Sequence, residues 1–109
     1  MKYQIKFKIW LEKDRDVVMG LGRDKLLREI DRLGSISKAA KEVGMSYKKA
    51  WSFIKTMEDR LGVKLIETQR GGKGGGGARL TDDARKLLEE FEQINRKFEN
   101  LRKKLSKDE

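Results

Sequence analysis

The stretch Gly44–Gly62, GMSYKKAWSFIKTMEDRLG, constrains the fold more than any other part of the chain. Glycine stands at either end, and Ser46 is placed to cap a helix by accepting from a backbone N–H near position 49. Ala50, Ile54, Met57 and Leu61 recur at steps of four, three and four, which is one apolar stripe on an α-helix. Lys48, Ser52 and Lys55 fall on the opposite face. Just upstream, Ser37–Val43 (SKAAKEV) forms a second short amphipathic segment, with Ser37 as its cap and Gly44 as its stop. Two short helices joined by a glycine-containing turn, the second with a basic outer face, have the layout of a helix-turn-helix. Ser46–Leu61 therefore reads as a recognition helix that lies in a DNA major groove.

Charge supports a polyanionic partner. The 109 residues carry 27 basic and 18 acidic side chains, a formal net charge of +9. The excess is localised: residues 20–80 hold fourteen basic against seven acidic residues, whereas residues 81–109 hold eight of each. Such a balance favours nucleic acid or an anionic membrane and says little about fold. With no Cys and no His, disulfides, thiolate or imidazole metal sites and Cys- or His-based catalysis are excluded. No carboxylate pair sits in an apolar setting that would tune its pKa, so an enzyme is not expected. No apolar leader or spanning segment is present, and a soluble cytoplasmic protein is the expectation.

The remaining segments fit around the helix pair. Tyr3, Ile5, Phe7, Ile9 and Leu11 alternate with Lys2, Gln4, Lys6, Lys8 and Trp10, which predicts a half-buried strand. After the polar turn Lys13–Asp16, Val17–Met19 is expected to return antiparallel as a short second strand. Gly20–Gly22 separates this ribbon from a helix over Arg23–Leu33, whose buried stripe is Leu26, Leu27, Ile30 and Leu33. Beyond Gly62, Val63–Arg70 reads as a strand with Val63, Leu65 and Ile66 facing inward, and Ala78–Leu80 as its return.

Between those two strands lies GGKGGGG, Gly71–Gly77. A flexible linker is the usual meaning of such a run. Here Lys73 stands at the tip, with Arg70 and Arg79 at the base, which fits the hairpin wing of a winged helix approaching the DNA backbone or minor groove. A phosphate-cradling nucleotide loop is excluded, because Lys73 is followed by Gly74 and no Gly-Lys-Ser/Thr opens a helix. On the recognition helix, Ser46, Tyr47, Lys48, Lys49, Ser52 and Lys55 suit the division between base edges and phosphates. Trp51, one turn from Tyr47, either stacks on it or belongs to the core.

Thr81 is a good N-cap for a last helix with Asp82 and Asp83 in its first turn. No breaker follows until about Leu105, which gives a rod of about 37 Å. Ala84, Leu87, Phe91, Ile94, Phe98, Leu101 and Leu105 repeat at steps of three and four, a coiled-coil pattern over three heptads. So small a core cannot bury that stripe along its length, so pairing with a second chain is expected through Leu87, Phe91, Ile94, Phe98, Leu101 and Leu105, with folding back on its own domain as the alternative.

GSISKAAKEVGMSYKKAW (residues 34–51) and ETQRGGKGGGGARLT (residues 67–81) resemble the N-terminal DNA-binding domain of ModE, the molybdate-responsive transcriptional regulators, and more loosely the LysR-type winged helix. The opening hairpin, Gly20–Arg23 and the last helix are similar too, so the likeness covers nearly the whole chain. It implies a homodimeric winged helix-turn-helix repressor or activator, with DNA contacts in Ser46–Lys55 supported by Ser37, Lys38 and the wing. Full-length members of that family continue into molybdate-binding modules. These residues supply no oxyanion pocket, so neither a cofactor nor a molybdate-binding module is expected here, and molybdate sensing is expected to be lost or to belong to a separate polypeptide.

The expected fold is mainly α with small β: a winged helix-turn-helix over residues 1–80, with an N-terminal β-hairpin (1–19) and a wing (63–80), then a long C-terminal dimerisation helix (81–109). The expected function is sequence-specific binding of double-stranded DNA by a transcriptional regulator acting as a homodimer. The alternatives are a non-specific chromatin-type DNA-binding protein on the same scaffold and a protein–protein adaptor.

Overall fold

The computed structural model describes residues 1–69 and 77–106. Eight elements follow in chain order: β1 (Leu11–Lys13), β2 (Asp16–Met19), α1 (Leu21–Leu33), α2 (Ile36–Val43), α3 (Tyr47–Leu61), β3 (Ile66–Gln69), β4 (Gly77–Leu80) and α4 (Asp82–Leu105). The result is mainly helical, with two antiparallel hairpins, β1–β2 and β3–β4.

One apolar core organises these elements. Leu26, Leu27 and Ile30 of α1, Ala39 and Ala40 of α2, and Ala50, Ile54 and Met57 of α3 are essentially inaccessible to solvent. Met19, Leu65, Leu80, Ala84 and Phe91 bring in β2, the wing and the start of α4. The small side chains of α2 and of Ala50 let α2 and α3 approach closely. Gly44, between these two helices, has φ +78°, a left-handed conformation that L side chains rarely adopt, and Met45 N–H closes the turn onto the Ala40 carbonyl at 2.9 Å.

Several expectations are corrected. The strand expected over Tyr3–Leu11 is confined to Leu11–Lys13, and residues 1–10 are outside the sheet. Their alternation has another cause: Ile5 and Ile9 are half-buried, and Phe7 lies against Phe98 of α4 with ring centroids 6.3 Å apart. Period two reports which side is covered, not whether the backbone is paired. Trp10 is exposed and donates from Nε1 to Glu12. The turn of the first hairpin is Asp14-Arg15, both with positive φ, as a two-residue turn requires.

Helix α2 starts two residues earlier than expected. Its cap is Ser35, whose Oγ accepts from Lys38 N–H at 3.1 Å, while Ser37 sits exposed inside the first turn. Helix α1 begins at Leu21 rather than Arg23. Val63, expected to face inward, is exposed, and the strand starts only at Ile66. Thr81 caps α4 as expected, accepting from Ala84 N–H at 3.2 Å.

Candidate nucleic-acid interface

Helix α3 presents three distinct strips outside its buried stripe. Ser46 Oγ accepts from Lys49 N–H at 3.1 Å, which fixes the start of the helix where the sequence placed it. Successive residues turn by about 100° in an α-helix, so Lys48 and Ser52 point directly away from Ala50, Ile54 and Met57, and both are exposed. Asp59 follows Ser52 on the same line, two turns further, and is also exposed. The cationic strip therefore belongs to the N-terminal half of α3.

One shoulder of that strip is a column of Tyr47, Trp51 and Lys55. The two rings meet edge to face, with centroids 6.4 Å apart at 88°, and Trp51 Nε1 donates to the Tyr47 hydroxyl. Lys55 Nζ lies 5.0 Å from the Trp51 ring centroid and 3.5 Å from Glu58 Oε1. Both readings of Trp51 hold: it is half-buried against the core, and it orients an exposed Tyr47.

The other shoulder is built on Phe53. Lys49 Nζ stands 5.7 Å from its ring centroid and the Arg23 guanidinium 4.7 Å. Arg60, further along this side of α3, donates from Nη1 to the Val17 carbonyl. Burial, and then the Arg60 charge, hold Arg23 below the usual guanidinium range.

Among the described residues, Lys38, Lys48 and Lys49 take part in no ion pair. Helices α1 and α4 carry Asp24 and Asp82–Asp83 in their first turns, whereas α2 and α3 carry no acid there. The partial positive charge at the N-termini of α2 and α3 is thus met by a serine cap but by no carboxylate in the first turn. Ser37 and Lys38 sit on the exposed first turn of α2.

The wing root is fixed from three sides. Ala78 N–H donates to the Gly34 carbonyl at 2.9 Å, Thr81 Oγ1 donates to the Lys64 carbonyl at 2.7 Å, and Glu58 Oε2 accepts from Leu65 N–H at 2.8 Å. Arg79 is exposed and pairs with Glu67 across the strands at 3.0 Å, so its charge is partly countered within the wing. Arg70, Lys73 and the glycine run up to Gly76 lie outside the described residues.

Residues 23–85 match the family described as "Bacterial regulatory helix-turn-helix protein, lysR family". The chain belongs to this LysR family. Molybdenum-pterin-binding protein MopB of Rhodobacter capsulatus is 46% identical over 76 residues, 70% of this chain and 28% of that protein. The DNA-binding transcriptional dual regulator ModE of Escherichia coli K12 is 43% identical over 72 residues, 66% of this chain and 28% of that protein. The chain thus spans about a quarter of the length of these relatives. The crystal structure of the CbnR_DBD–DNA complex superposes with a TM-score of 0.58 at 24% identity, over 80% of this chain and 99% of that one, and shares the fold. The family is one of regulators rather than enzymes, and the likeness to ModE expected from residues 34–51 and 67–81 is present.

In this LysR-family chain the stripe of α4 divides in two. Phe91, expected at a chain-to-chain contact, is 1% exposed in the domain's own core, and Leu87 and Ile94 are half-buried. Phe98, Leu101 and Leu105 are exposed at 49%, 50% and 60%. The core is wide enough to take the first three turns of α4 and no more. Sequence reasoning missed Glu58 and the Arg23–Phe53 contact. Glu58 lies between a buried stripe and a basic face, where a lone carboxylate gives no signal. Arg23 is separated from Phe53 by thirty residues, so only the packing of α1 on α3 reveals the pair.

Proposed function

We propose that this chain is the DNA-binding domain of a ModE-like transcriptional regulator that recognises a specific duplex sequence as a homodimer. Helix α3 lies in the major groove, with Tyr47, Lys48 and Ser52 toward the bases. Ser37, Lys38 and Lys49, the helix N-termini and the wing residues Arg70, Lys73 and Arg79 hold phosphates. The observation that carries this reading is the pairing of acid-free first turns on α2 and α3 with lysines that have no anionic partner among the described residues. Two likenesses support it: the superposed CbnR domain is in complex with DNA, and E. coli ModE is a DNA-binding regulator.

The exposed Phe98, Leu101 and Leu105 support association of two copies through residues 81–109, leaving residues 1–80 as the DNA-binding unit. A two-fold axis there places the recognition helices about 34 Å apart, on half-sites one turn apart. No described helix is long and apolar enough to cross a membrane. The reading requires no cofactor and places no effector site in these residues. Selection of bound sequences from a random duplex pool, followed by footprinting, tests it. A protected pseudo-palindrome, unchanged by molybdate, is the expected result. Uniform coating of any duplex overturns specificity in favour of the chromatin-type binder.

A further inference from the structure

Arg23 is in an unusual electrostatic position. Its guanidinium rests on the Phe53 ring, its Nε is buried without a hydrogen-bond partner, and no carboxylate pairs with it among the described residues. Among those residues its terminal nitrogens make no hydrogen bond and, unlike Nε, remain accessible to solvent. Asp24, its neighbour in the chain, pairs with Arg28, and the influences that shift Arg23 are burial and a charge of like sign. Lys49 shares the same ring, and Arg60 on the same side of α3 adds repulsion. Partly desolvating a cation among other cations is unfavourable unless an anion joins them. Arginine stays charged at any pH a folded domain meets, so deprotonation offers no escape.

The position of this cluster says which anion. It flanks the outward strip of Lys48 and Ser52, one shoulder round α3, where the duplex backbone rises beside a groove-bound helix. A guanidinium held by its stem on a ring, with its terminal nitrogens open to solvent, presents the forked donor that suits a phosphodiester.

We propose that Arg23 and Lys49, seated together on Phe53 and backed by Arg60, form a phosphodiester clamp that grips the DNA strand alongside the groove occupied by α3. This rests on the DNA-binding reading and adds α1 to the surface that touches DNA. The clamp is indifferent to base sequence and acts on register and affinity.

The test is the salt dependence of binding to a selected duplex and to a random one. It is measured for the unaltered chain, Arg23→Gln and Lys49→Gln, with folding checked by thermal unfolding. Each charge removal is expected to weaken binding to both duplexes by the same factor. Each also lowers the salt slope by about one, so that the loss of affinity between about 50 and about 200 mM salt shrinks about 3.5-fold. Arg23→Lys should keep the slope, because the charge is retained, while affinity falls because the fork is lost. If Arg23→Gln unfolds the domain, Arg23→Lys decides: an equal loss of affinity on both duplexes at an unchanged slope supports the clamp, and unaltered affinity overturns it. Slopes of the charge-removal variants equal to that of the unaltered chain overturn the clamp and leave Arg23 as packing on Phe53. An unaltered chain that binds neither duplex overturns the DNA-binding reading itself.

Discussion

Glu58, near the end of α3, accepts from two consecutive backbone N–H groups, those of Leu65 at 2.8 Å and Ile66 at 3.3 Å. Helix α3 thereby holds the first strand of the wing with its own side chain, which is only 10% exposed. Glu58→Ala leaves both donors without this acceptor and is expected to destabilise the domain by about 1–3 kcal/mol. Glu58→Gln retains an oxygen acceptor and should recover part of the loss. Thermal unfolding of the two variants decides, and equal midpoints for Glu58→Ala and the unaltered chain would contradict the role.

Caps offer a sharper comparison. Ser35 and Ser46 each accept a backbone N–H at 3.1 Å, so Ser35→Ala and Ser46→Ala should each cost about 1 kcal/mol. Ser37, exposed within α2, caps nothing, and Ser37→Ala should stay within about 0.5 kcal/mol. Denaturant midpoints for the three variants order them, and a loss at Ser37 matching that at Ser35 would refute the assignment.

Legibility in the sequence followed how local the determining physics was. The start and buried stripe of α3, the cap at Thr81 and the turn of the first hairpin all depend on residues within a few positions, and all were readable. The cap of α2 failed because Ser35 and Ser37 both suit the role, and the burial of Ile36 chooses between them. Residues 1–10 failed for a different reason: half-burial of Ile5 and Ile9 and the contact of Phe7 with Phe98 on a distant helix need the same alternation as a paired strand. The candidate site divided the same way. Tyr47, Lys48 and Ser52 follow from helical spacing, whereas Arg23 and Glu58 act across tertiary contacts.

The division of the α4 stripe predicts opposite outcomes for two aromatic residues. Phe98→Asp combined with Leu101→Asp should give folded monomers that bind a full site poorly, since both residues are half exposed. Phe91→Ala should instead destabilise the domain itself by about 3–5 kcal/mol. Sedimentation equilibrium beside circular dichroism separates the two, and a dimeric double variant would remove α4 from the interface.

Tyr47 has a structural duty beside any contact with DNA. Its hydroxyl accepts from half-buried Trp51, so Tyr47→Phe should lower stability by about 1 kcal/mol in the absence of DNA. Unfolding curves identical to those of the unaltered chain would assign the hydroxyl to DNA alone.

Acid should loosen the end of α4. The hydrogen bond from Arg102 holds the Glu99 carboxyl below its ordinary value. A carboxylate depressed in the folded state stabilises fully above its unfolded pKa, and the contribution is lost as pH falls through the depressed folded value. Amide chemical shifts of residues 99–105 should therefore drift toward coil values in that acidic window, and shifts constant through it would count against the coupling.

The hydrogen bond from Ala78 to Gly34 joins the hairpin to the corner that precedes α2. A methyl group at Gly77 would stand 3.5 Å from the same Gly34 oxygen, so the two backbones meet closely. The spacing between the root of the hairpin and the start of α2 is therefore set in advance, as in a caliper with its hinge locked. If α3 and the wing meet DNA as proposed, duplexes whose grooves already suit that root spacing, or deform to it cheaply, should gain affinity even at base pairs no side chain touches.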